Sequence, residues 1–148
     1  MIDLPLSIAK RVHAEGVLAF PNECCGALLG SVDAVGTQEL RHVVDILALP
    51  NTREAEEQYH RFVITPEDYL RAEQFARTEG LDLVGFYHSH PNAPARPSDY
   101  DREHAWPNLS YVIVATLLRD GKAAAGDVTS WELSLDRSRF DAEEQVAL

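Results

Sequence analysis

A chain of 148 residues, 45% hydrophobic and 25% charged, has the length and make-up of about one soluble globular domain. Its formal net charge of −11, from 24 acidic against 13 basic residues, argues against a nucleic-acid backbone as partner. No stretch reaches the roughly 20 apolar residues of a membrane span.

The N-terminal MIDLPLSIAKRV has an early acid and no long apolar run, unlike a secretory signal, so the expected compartment is the cytoplasm. LSIAKRVHAEGVLAF then sets Ile8, Val12 and Phe20, with Ala9 and Leu18, near helical spacing. Gly16 weakens that helix and Pro21-Asn22 ends it. Cys24 and Cys25 are adjacent, cannot form an ordinary bridge with each other, and fit a reducing compartment. GALLGSV is a short apolar run, LRHVVDILAL a strand, PNTREAEEQ a polar loop and YHRFVIT another strand. Pro66 opens a helix, PEDYLRAEQFARTEG, with acids in its first turn and Gly80 at its end. LDLVGFYHSH reads as a strand; PNAPARP, short of backbone donors, as a loop; SDYDREHAW as a short helix. SYVIVATLL and GDVTSWELSL are strands joined by a turn at Asp120-Gly121, and the tail DRSRFDAEEQVAL is ambiguous. The expected fold is α/β: one domain over residues 1–148, with a mixed, largely antiparallel sheet flanked by helices.

Within this frame, GFYHSHPNAPARPSDYD carries the chemistry. On a strand, His88 and His90 face one side and Ser89 the other. The loop turns the chain back, and Asp101 falls in the first turn of the next helix. Two imidazoles and a carboxylate make an open three-ligand metal site, suited to zinc or to iron. The bland alternative is a buried strand histidine followed by a Ser98-x-x-Asp101 helix cap. In a chain of this composition the four-residue pattern arises by chance roughly once in a thousand. Capping and ligation are compatible, because Ser98 can cap through its oxygen while the Asp101 carboxylate faces a metal. Glu23, in FPNECCGALLG, sits at a helix-to-strand junction, where a glutamate is ordinarily solvated.

His88-x-His90, seven residues, Ser98, two residues and Asp101, with Pro21-x-Glu23-x-Cys25-Gly26 upstream, resemble the JAMM (MPN-plus) metalloprotease family. The long insertions of eukaryotic deubiquitinases are not evident between Asp101 and the strand at Tyr111, which resembles the short bacterial and archaeal branch. The resemblance implies a JAMM/MPN-like, cytidine-deaminase-like architecture. It implies one zinc per chain, held by His88, His90 and Asp101, with Glu23 as general base and Ser98 helping to hold the oxyanion. It further implies hydrolysis of an amide bond at the C-terminal tail of a ubiquitin-like protein, with a sulfur carrier as the natural candidate. Such a tail could bind as an added strand. No covalent intermediate is needed, so Cys24 and Cys25 are expected to be small packing residues.

Three rivals remain. Many MPN domains are scaffolds without the metal set, but here the set is complete. A DNA-repair branch shares His90-Pro91 and Pro97-Ser98, yet the chain lacks a DNA-binding helical unit and has the wrong charge. Metal-dependent deaminases space their cysteines as Cys-x-x-Cys, whereas here they are adjacent. His13, His42, His60 and His104 are expected to be structural or solvated, with His104 a candidate support for Asp101 on the same helical face.

Overall fold

The computed structural model describes residues 1–50 and 64–146. Strand β1 (Ile2–Asp3) precedes helix α1 (Leu6–Ala19), followed by β2 (Cys25–Val35), β3 (Gln38–Leu49), α2 (Pro66–Thr78), β4 (Asp82–Pro91), α3 (Asp99–Glu103), β5 (Ser110–Arg119), β6 (Lys122–Leu133) and β7 (Phe140–Ala142). The seven strands form one sheet in the order β1-β3-β2-β4-β5-β6-β7. The pairs β1/β3 and β4/β5 are parallel and the other four antiparallel, the mixed sheet expected from the sequence.

A core lies on each face. On one, Ile8 and Val12 of α1 pack with Leu28, Val43, Val112 and Val114; on the other, Ala72 and Ala76 of α2 pack with Ala27, Leu29 and Phe86. The buried stripe of α1 is Ile8, Val12 and Gly16, at intervals of four. Gly16 is there for proximity: an added Cβ would lie 3.0 Å from the Thr116 methyl of β5. Leu18, expected on the apolar face, is 86% exposed, since two residues beyond Gly16 rotate it about 200° away. Phe20 caps the helix rather than extending it. Helix α2 starts as its sequence indicates, with Pro66 after a reciprocal Thr65–Asp68 capping box, and Gly80 follows its end at a φ of +71°. Asp120 and Gly121 both have positive φ, 53° and 75°, the pattern of a tight hairpin turn.

The sequence did not announce β1 or β7. The expected loop PNTREAEEQ and strand YHRFVIT lie outside the described residues, except Pro50, Ile64 and Thr65. Ile64 and Thr65 are not in a strand.

Candidate metal centre

Strand β4 is central, paired with β2 on one side and β5 on the other, and residues 84–90 are all buried. Strand alternation puts His88 and His90 on the face of Phe86. The chain leaves β4 through Asn92, whose φ is 55° and whose N–H donates to the Thr116 carbonyl at 2.7 Å. It folds back so that the Pro94 carbonyl accepts from His90 Nδ1 at 3.0 Å. It then enters α3 through a reciprocal capping box. The Asp101 N–H donates to Ser98 Oγ at 3.1 Å, and the Ser98 N–H donates to Asp101 Oδ2 at 2.8 Å. The cap thus aims the carboxylate.

These elements converge. His88 Nε2 and His90 Nε2 are 3.1 Å apart, His90 Nε2 and Asp101 Oδ2 3.1 Å, and His88 Nε2 and Asp101 Oδ2 3.4 Å. Among the described residues these three form a group whose ligand atoms could hold one ion. A tetrahedral ion with bonds of about 2.0–2.1 Å requires donor–donor edges of about 3.3 Å, so the triangle has the right size. The Pro94 carbonyl fixes the neutral His90 ring with its hydrogen on Nδ1 and its Nε2 lone pair turned inward, facing another ring nitrogen and a carboxylate oxygen. Those are the surroundings of a cation.

Burial pushes His88 below the ordinary histidine range. Burial also opposes the charging of His90, but Asp101 and the Pro94 carbonyl outweigh it and raise that ring. For Asp101, burial opposes ionisation, yet His88, His90 and the Ser98 N–H hold the carboxyl well below the usual range.

Glu23 is 7% exposed, contrary to the solvated position ordinary for its type. The junction that carries it is pinned to β4: the Cys24 N–H donates to Ser89 Oγ at 2.8 Å, and the Ser89 N–H donates to the Cys24 carbonyl at 3.1 Å. Cys25, the first residue of β2, pairs with His88, and Glu23 lies two residues before it in the chain. Glu23 stands outside the three-residue ligand group. Both cysteines are free thiols. Burial pushes Cys24 up to about 11 and Cys25 higher still, against the activation a nucleophile needs.

An apolar recess of about 20 Å³, room for about one water, adjoins His88 and Asp101 and is walled by Tyr100, Trp106, Tyr111 and Phe140. The sequence reading missed this wall; Phe140 comes from the ambiguous tail. It also missed Ser89, whose only signal was a small polar residue between two histidines. The His104 backbone N–H donates to the Asp101 carbonyl at 3.3 Å, while its ring turns to Tyr100. It stacks on Tyr100 at 4.1 Å, and its Nδ1 donates to the Tyr100 carbonyl at 2.8 Å. His42 bridges Asp3 and Asp33 at 3.1 and 2.9 Å, far along the sheet, and His13 is half-buried on α1. His60 lies outside the described residues.

The family model described as prokaryotic homologs of the JAB domain matches residues 5–134. The chain is 34% identical to a desampylase of Haloferax volcanii, over 76% of this chain and 73% of that protein. It is 34% identical to a probable TtuB-protein conjugate cleaving protease of Thermus thermophilus, over 82% and 79% respectively. A solution structure of a Salinibacter ruber protein superposes with a TM-score of 0.72 at 40% identity, covering 97% of this chain and 90% of that one. A JAB1/MPN domain protein of Archaeoglobus fulgidus, 18% identical with a TM-score of 0.52 and covering 97% of this chain and 94% of that one, shares the fold. The chain belongs to the prokaryotic JAB-domain family.

Proposed function

We propose that this protein is a zinc-dependent peptidase or isopeptidase that hydrolyses an amide bond at the C-terminal tail of a ubiquitin-like protein, with a sulfur carrier as the favoured substrate. The observation that carries the reading is the triangle of His88 Nε2, His90 Nε2 and Asp101 Oδ2, with edges of 3.1 to 3.4 Å. The names of its relatives, a desampylase and a TtuB-protein conjugate cleaving protease, supply the substrate class. One domain spanning residues 1–148 carries the activity, in the cytoplasm and without nucleic acid or membrane. Among the described residues no helix is long and apolar enough to cross a membrane.

His88, His90 and Asp101 would hold one zinc per chain. When bound, zinc supplies a Lewis acid that lowers the pKa of a water toward about 7 and polarises the scissile carbonyl. Glu23 takes the proton from the attacking water and delivers it to the leaving amine. The Ser98 hydroxyl oxygen accepts from the Asp101 N–H, so its hydrogen stays available to donate to the developing oxyanion. Fixed by Pro94, His90 presents its lone pair without reorganising.

The test is elemental analysis joined to mass spectrometry. The parent should carry one zinc per chain and cleave conjugates of ubiquitin-like proteins encoded near it; a chelator should stop cleavage. His88→Ala and Asp101→Ala should lose most of the zinc. Equal metal content in parent and variants would overturn the assignment.

A further inference from the structure

We propose that the groove lined by Arg96, Arg102 and Arg139 is a subsite for a carboxylate on the amine side of the scissile bond. This rests on the hydrolytic reading above and names a feature of its substrate.

The first observation is charge placement. The chain has 24 acidic residues against 13 basic ones. A groove of about 320 Å³ reverses that balance locally, with three arginines against Asp99 among its lining residues. The second is position. Ser98 lines the groove and donates its N–H to Asp101 Oδ2 at 2.8 Å, so the groove begins one residue contact from the metal triangle. The third is availability. Arg96 has no ion-pair partner among the described residues. Arg102 is tethered through Nη1 to the Arg137 carbonyl at 3.2 Å, which positions its guanidinium and leaves other donors to spare. Arg139 pairs with Asp141 at 2.9 Å, but both side chains are more than half exposed, and such a pair holds its cation weakly.

The first turn of α3 separates this groove from the aromatic recess. Pro97 and Phe140 line both spaces, but Tyr100 and Trp106 line only the recess, and the arginines only the groove. A chain crossing the metal triangle therefore has one apolar flank and one cationic flank. A tail ending in small uncharged residues has nothing for an arginine within a residue or two of the bond. The cations therefore face the leaving side. The carboxylate has two sources: the α-carboxylate of a single released amino acid, or acidic side chains beside an isopeptide-linked lysine. Arginine's planar fork suits either one.

The experiment uses the zinc-loaded full chain and four probes built on one ubiquitin-like carrier ending in Gly-Gly. Two carry one further residue, as free acid or as carboxamide. Two are joined to the ε-amine of a lysine in a peptide, flanked by glutamates or by glutamines. We expect the parent to favour the charged member of one pair by about tenfold in kcat/KM, about one charge-assisted contact, and that pair identifies the source. Arg96→Gln combined with Arg102→Gln should bring the ratio to about one, and Arg96→Lys alone should keep most of it. Equal rates within both pairs, or a preference that survives the double glutamine variant, would overturn the inference while leaving the hydrolase intact. Failure to cleave any probe would overturn the hydrolytic reading, and this inference with it.

Discussion

His90 is bonded on both sides, to the Pro94 carbonyl through Nδ1 and toward His88 and Asp101 through Nε2. This arrangement sets an expected pH dependence. A histidine binds zinc only when its ligating nitrogen is unprotonated. His88 is lowered by burial and is neutral near pH 7. His90 is raised on balance, Asp101 outweighing burial, so protons compete for it at higher pH than for an ordinary histidine. Zinc affinity should therefore fall as pH falls through the raised value for His90, measured by chelator competition from about pH 8 to about pH 5. Affinity independent of pH over that range would contradict this ligand. The convergence of His88, His90 and Asp101 was legible in the sequence, because strand alternation and a four-residue cap are local. The burial of Glu23 was not, because its neighbour Cys24 is held by Ser89, 65 residues further along the chain.

Helix α3 has only five residues, and its start does more than its length. The Ser98 side chain caps the helix and is proposed to hold the oxyanion, whereas the contact that orients Asp101 uses the Ser98 backbone N–H. Ser98→Ala should therefore cost about 1 kcal/mol of stability as a lost cap. Zinc should stay bound, and turnover should fall about 10²- to 10³-fold. Ser98→Thr keeps the cap and the hydroxyl and should retain most activity. Undiminished turnover in Ser98→Ala would remove the serine from the chemistry. Other elements differed in legibility for physical reasons. Helix α2 was read from its Pro66 start and its Gly80 stop, both local signals. Strands β1 and β7, two and three residues long, are too short to show an alternating period. Their partners on β3 and β6 define them.

Across the whole molecule, Arg41 ties the sheet's distant strands together. Its side chain is 4% exposed, lies 3.0 Å from Glu143 and 3.4 Å from Glu132, and donates to Ser110 Oγ at 3.3 Å. Among the described residues, Arg41→Ala would leave the buried Glu143 with the Met1 ammonium at 3.4 Å as its remaining cation. The expected cost is about 3 kcal/mol by urea unfolding, with zinc per folded chain unchanged. A cost under about 1 kcal/mol would mean that water or the N-terminus already balances Glu143. Net charge was legible from composition, but the placement of Arg96, Arg102 and Arg139 on one groove was not, because folding brings distant positions together. The central claim is that one buried carboxylate moves protons beside a metal it does not hold, and Glu23→Gln tests it most directly. Zinc content and the mass of a ubiquitin-like conjugate after incubation are measured for parent and variant. The account predicts equal zinc in both, with cleavage slowed by about 10²- to 10⁴-fold in the variant. Zinc loss in Glu23→Gln, or near-parental cleavage with zinc retained, would contradict it.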